Sequence, residues 1–317
     1  MAEKCFGKAK DYEDKAALLR NIAMLTFNHT DNTDMALPLM LKAVDLAKES
    51  EQLVYETIIL MDKTSYPADK KIEFINAHKN IITRDDILTE LAKAYNQNSE
   101  PEKALEVLSS HNFVPCEGGE HAIADQYIFA HFILGQRFMR SGDFENALKE
   151  FETAQILPQN LGAGIWNHTK HIPCRFFAAK CYEKLGNKDK AFETYKYITS
   201  TQIEYFSNMH LKELAYYQAE SYKLMGEELK GIQLMTKYRR IWNEARTKKD
   251  TGFFGTTPFF LPFVDNPAKA RNAQFSYLYG LCQNYMENNE EGLKLIDSAY
   301  ADNSDLLFAG FFAGKIK

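Results

Sequence analysis

The chain has 317 residues, enough for one large domain, two ordinary ones or an elongated repeat array, and its 45% hydrophobic content supplies a core. The 38 basic and 43 acidic side chains leave a formal charge of −5, which argues against nucleic acid as the main partner, since phosphate binding needs concentrated basic charge. Five scattered cysteines without CxxC spacing indicate neither a zinc ribbon nor a disulfide framework, and they fit a reducing compartment.

The opening "MAEKCFGKAKDYEDK" is polar throughout and lacks the apolar core of a secretory signal, so the expectation is a cytoplasmic protein. No apolar run approaches the about 18 residues that a membrane span needs. Residues 1–115 read as more divergent helical repeats, with weak copies around 24–43 and 56–75. A clearer copy follows in "LTELAKAYNQNSEPEKALEVLSSH", where Ala92, Tyr95, Ala104 and Leu108 recur and Pro101 opens the second helix.

Residues 116–317 carry the strong copies. "GQRFMRSGDFENALKEFETA" gives Gly135, Phe138, Gly142, Ala147, Phe151 and Ala154; "AKCYEKLGNKDKAFETYKYI" gives Ala179, Tyr182, Gly186, Ala191, Tyr195 and Ile198. The same frame yields Ala219, Tyr222, Gly226, Gly231, Met235 and Tyr238, then Gly280, Gly292, Ile296 and Ala299 with Asn288 and Asn289 at the turn. In each of these copies, and in the one at 92–108, the small residues of the two helices stand 12 positions apart, where helices of one hairpin must approach closely. Apolar residues at i, i+3, i+4 and i+7 predict amphipathic helices, and the glycine falls where a helix end needs a left-handed residue. No alternating run of β-branched residues predicts a strand.

This frame resembles the tetratricopeptide repeat over most of the chain. The resemblance implies an all-α, right-handed superhelix of stacked helix hairpins, one continuous solenoid with a concave wall of first helices as its binding surface. The chain departs where His131 and Arg175 replace the usual tryptophan and where Pro158 comes one residue early. Insertions at 112–127, 159–171 and 247–270 decorate the array.

Two insertions carry the candidate site. In "HNFVPCEGGEHAIADQYIFAH", Glu117, Glu120, His121, Gln126 and His131 either line a polar pocket or serve as a helix cap and a core histidine. In "ILPQNLGAGIWNHTKHIPC", Trp166 beside Asn160 suits a sugar-binding cleft, with the indole on a ring face. His168 and His171 stand three apart, but a metal site needs a third or fourth ligand, so no metal and no cofactor is expected. Further on, the basic run at 239–249 reads as a solvated helix face, and Phe253, Phe254, Phe259, Phe260 and Phe263 as an aromatic plug folded onto the repeats.

The Glu-Gly-Gly-Glu stretch at 117–120, then Gln126, Tyr127, Ala130, His131, Leu134 and Gly135, then Pro158, Asn160, Leu161, Gly162 and Gly164, resembles a family of large bacterial proteins of unknown function. The resemblance is to that family's carboxy-terminal tetratricopeptide region and spans roughly 110–305. It implies a β-rich domain as partner and a setting among genes of sugar metabolism.

GxSxG, GxxxxGK[ST] and dinucleotide fingerprints are missing. The expected function is an interaction scaffold holding a protein partner in its concave groove, with no nucleic acid and no membrane. The alternatives are a non-catalytic carbohydrate or small-ligand receptor, or a sugar-active enzyme using Glu117 and Glu120 as acid and base.

Overall fold

The computed structural model describes residues 15–30, 33–114, 120–162, 171–202, 213–248, 263, 267–287 and 290–317. Its α-helices are α1 (Lys15–His29), α2 (Ala36–Leu46), α3 (Glu51–Lys63), α4 (Ala68–Ala77), α5 (Asp85–Gln97), α6 (Pro101–Ser109), α7 (Glu120–Ser141) and α8 (Phe144–Thr153). They continue as α9 (Ile172–Lys184), α10 (Lys188–Ser200), α11 (Leu214–Leu224), α12 (Glu228–Thr247), α13 (Pro267–Glu287), α14 (Glu290–Asp302) and α15 (Leu307–Phe312). Short 3-10 turns cover Thr33–Met35, Lys79–Ile81 and Gln159–Leu161, and no strand occurs among the described residues. The fold class is the expected one, all-α, with consecutive helices paired as hairpins.

The hairpins follow from two small-residue rules. At the turns of α7/α8, α9/α10 and α11/α12, Gly142, Gly186 and Gly226 take φ of 81°, 83° and 79°. The next N–H then reaches back five residues: Asp143 to the Phe138 carbonyl at 2.9 Å, Asn187 to Tyr182 and Glu227 to Tyr222 at 2.8 Å each. That bond closes the first helix, and a side chain opens the second. Asp143 accepts from the Asn146 N–H and Asn187 from the Lys190 N–H.

Between the helices the paired small residues touch. A Cβ on Gly292 would stand 2.8 Å from the Gly280 carbonyl oxygen, one on Gly280 2.8 Å from that of Gly292, and one on Gly231 2.8 Å from that of Ala219. The 12-residue spacing in the sequence thus records the closest approach of two backbones.

Backbone contacts divide the chain into two compact units, Met1–Ala94 with Asp250–Pro267, and Tyr95–Lys249 with Ala268–Lys317. The sequence division into 1–115 and 116–317 concerns how far the repeats diverge, a separate property. In the first unit α1 pairs with α2 and α3 with α4. Glu56 on α3 is buried and takes a two-pronged pair from Arg20 at 2.5 Å. Of the predicted aromatic plug only Phe263 lies within the described residues; it is fully buried, edge-on to Phe27 at 5.5 Å.

The second unit holds the hairpins α7/α8 to α13/α14. Its core contains a component not visible in the repeat frame. Helix α15 sets Phe308 against Phe129 and Phe132 of α7 at 5.1 and 4.9 Å, Phe311 against Phe132 at 4.9 Å, and Phe312 against Tyr216 of α11 at 5.8 Å. Leu307, Ala309 and Ile316 are buried with them. The face of the first helices is therefore already covered by the chain's own last helix. Gln97 donates to the Ser304 carbonyl at 2.9 Å, and the Lys317 N–H to Ser99 Oγ at 2.9 Å, tying this segment back to the start of the unit.

Candidate functional site

The two decorated junctions meet through their described flanks. Asn160 Nδ2 donates to the carbonyls of Leu108 and His111, both at 2.8 Å, and the Asn160 carbonyl accepts from the Phe113 N–H at 2.7 Å. The segment after α6 is thus stitched to the 3-10 turn at Gln159–Leu161, whose Gly162 cap is left-handed at φ 59°. With both of its side-chain N–H bonds given to backbone carbonyls, the Asn160 amide nitrogen serves the fold.

Beside this seam lies a cavity of about 420 Å³. Helix α6 lines it with Glu102, Leu105, Glu106 and Ser109, positions three, four and seven apart that share one helical face, and with the buried Leu108 at its edge. Helix α7 adds Tyr127 and His131, one turn apart, and Pro158 and Leu161 complete the lining. Four lining residues are apolar and five carry polar groups (two carboxylates, one hydroxyl, one phenol and one imidazole), although most of the surface they present is apolar.

His131 stands where the repeat frame has a bulky aromatic, and its ring is held from two sides. Tyr127 packs edge-on at 4.5 Å between centroids, and Nδ1 lies 2.6 Å from Glu150 Oε2 on α8. An ionised carboxylate accepts only, so Nδ1 carries the proton and donates; in the neutral ring this leaves Nε2 as the acceptor. Burial raises the Tyr127 phenol above its ordinary value, and the charge of Glu150 adds to it. Glu102 is engaged by Arg137 Nη1 at 2.9 Å, while the Arg137 Nη2 donates to the carbonyls of Ser99 at 2.5 Å and Lys317 at 2.8 Å.

The remaining sequence candidates separate. Gln126 is buried and accepts from Asn96 Nδ2 at its backbone carbonyl (3.0 Å) and side-chain oxygen (3.1 Å), a tether between α5 and α7. His171 is buried at the cap of α9. Glu117, Trp166 and His168 lie outside the described residues, as do the side chains of Glu120 and His121 at the start of α7. Among the described residues no group of three or more His, Cys, Asp or Glu is placed to hold a metal ion, and no helix is long and apolar enough to cross a membrane. Sequence reasoning missed Glu150, Tyr127 and the α6 carboxylates. The i, i+4 pair of Tyr127 and His131 was a usable signal; the pairing of residues 131 and 150 across a hairpin was not.

No protein-family model matches the chain. Among solved structures it is similar to a tetratricopeptide repeat protein from Parabacteroides merdae, at 14% identity and a TM-score of 0.45, over 95% of this chain and 98% of that one. It is also similar to a chain in the structure of Naa15/Naa10 bound to HypK-THB, at 16% identity and a TM-score of 0.43, over 99% of this chain and 52% of that one. A third similar structure is the human IFIT1 dimer with m7Gppp-AAAA, at 14% identity and a TM-score of 0.39, over 95% of this chain and 67% of that one.

Proposed function

We propose that the chain is a helical-repeat interaction scaffold that engages a segment of a protein partner at the cavity between α6, α7 and the Gln159–Leu161 turn. The observation that carries this reading is the cavity itself: about 420 Å³, largely apolar, with a few polar groups converging on it. The groove of first helices, the expected seat of a partner, is in the second unit the surface that α15 covers with Phe308, Phe311 and Phe312. A partner at the cavity needs no displacement of that helix. The junction motifs at 117–135 and 158–164 support a bacterial, carbohydrate-related setting with a β-rich domain as the partner, and the scattered cysteines without CxxC spacing support a reducing, cytoplasmic one.

A second reading, a carbohydrate or other small ligand in the same cavity, is favoured by the Tyr127 ring beside Ser109 and two carboxylates, a combination that stacks on a sugar face and takes its hydroxyls. The two are separated by screening the full chain against a random displayed-peptide library and a glycan array, each repeated with a cavity-filling Leu105→Trp variant. The scaffold reading expects peptides that bind the chain and are rejected by the variant. Glycans behaving so, with no such peptides, would sink it in favour of the second reading.

A further inference from the structure

We infer that the cavity takes a basic side chain, the guanidinium or ammonium of an arginine or lysine presented by the partner segment. This rests on the scaffold reading above and adds the chemistry of the occupant. Leu105 and Pro158, backed by the buried Leu108 and Leu161, offer an apolar wall, along which the methylene stem of arginine or lysine lies while its charged head stays near water. The head would meet Glu106 and the ring of Tyr127, a carboxylate and an aromatic face, each of which attracts a cation.

The charges around the cavity are not already balanced. Among its described lining residues there is no lysine or arginine. Glu102 is answered by Arg137 at 2.9 Å. Glu106 makes no ion pair within 4 Å among the described residues; Lys103, one turn back on α6, feels its charge but is itself paired with Glu100 at 2.5 Å. The imidazole of His131 is directed at Glu150 through Nδ1. An acidic side chain would be repelled by Glu106 and a purely apolar one would gain nothing from it, whereas a cation answers its charge.

The test uses full-length protein and the displayed peptides that wild type binds and Leu105→Trp rejects. Each arginine in such a peptide is replaced by citrulline and each lysine by norleucine, which keep the shape and remove the charge. One replacement is expected to weaken binding roughly tenfold or more, and Glu106→Gln to weaken the parent peptide by a similar factor. In the Glu106→Gln background the same replacement should cost little further, the signature of one shared contact. Because Glu106 is exposed, this variant leaves the core untouched. Peptides whose affinity ignores both the replacement and Glu106→Gln would overturn the basic-side-chain inference and leave the scaffold reading standing. Finding no peptide that the cavity-filled variant rejects would overturn the scaffold reading itself.

Discussion

Glu90 shows at the residue scale how burial sets a proton equilibrium. Asp62 on α3, Lys71 on α4 and Glu90 and Lys93 on α5 form a four-charge cluster: Lys71 to Asp62 2.5 Å, Lys93 to Asp62 3.0 Å, Lys93 to Glu90 2.7 Å, Lys71 to Glu90 3.4 Å. Burial works to raise Asp62, but Lys93 and Lys71 outweigh it and hold its carboxyl well below the usual range. For Glu90 burial comes first and the Asp62 charge adds to it, pushing the carboxyl up to about 7. A carboxyl raised in the folded state binds a proton there that the unfolded chain has already lost. Folding stability should therefore rise as pH falls from about 7 toward the ordinary carboxylate range, and fall on the way back up. Asp62 acts oppositely, its contribution disappearing as pH drops below the usual aspartate value. Urea unfolding at stepped pH should show the rise in wild type and a flatter curve for Glu90→Gln; an unchanged slope would contradict the assignment. Asn160 makes the second residue-scale case. Asn160→Ala removes both bonds to Leu108 and His111 and leaves two carbonyls to find other partners, so thermal unfolding should report a loss of about 1–3 kcal/mol. Its amide looked like a ligand group in the sequence because the bonds reach back about 50 positions, and no local pattern encodes such a partner.

Among the helical elements, glycine serves the strong hairpins for two different reasons, at the turn or at the close approach of the helices, and substitution tells them apart. Gly186 sits at φ 83° with nothing within 4 Å of where a Cβ would stand, so Gly186→Ala meets no neighbour and costs only the left-handed backbone, about 1–2 kcal/mol. Gly280 has an ordinary helical backbone but would put a Cβ 2.7 Å from Ile296 and 2.8 Å from the Gly292 carbonyl oxygen, so Gly280→Ala must part the two helices. Asparagine discriminates: Gly186→Asn should recover part of the alanine loss, because asparagine tolerates the left-handed region, whereas Gly280→Asn should be worse than alanine in chemical denaturation. These glycines and the spacing between them made the hairpins legible. The rule fails instructively at Ser99, which takes the same left-handed place at φ 60° after Tyr95, where its hydroxyl accepts from the Lys317 N–H. It also misses α15, whose six residues "LFAGFF" are too short for helical periodicity to register and are helical because the repeats pack around them.

On the scale of the second unit, α15 is what the hairpins' aromatic faces share. Phe308, Phe311 and Phe312 meet rings from α7, α11 and, through Tyr277, α13, so one short helix joins faces that successive repeats present separately. In an open array of this kind each repeat leans on its immediate neighbours, and stability is a sum of local terms. A segment touching several repeats at once adds cooperativity to that sum. Removing residues 305–317 should then do two things together. It should lower the unfolding free energy by several kcal/mol, since Leu307 and Ile316 are buried and each such side chain contributes about 1.5–3 kcal/mol. It should also uncover Phe129, Phe132 and Tyr216, giving hydrophobic-dye binding while far-ultraviolet circular dichroism keeps its helical form. Arg137→Ala, which cuts only the anchors from Arg137 to Ser99, Glu102 and Lys317, should give a milder version of both. If the shortened chain instead unfolds at the wild-type midpoint without binding dye, the last helix is an ornament on hairpins that already satisfy one another, and the groove beneath it is free to receive a partner after all.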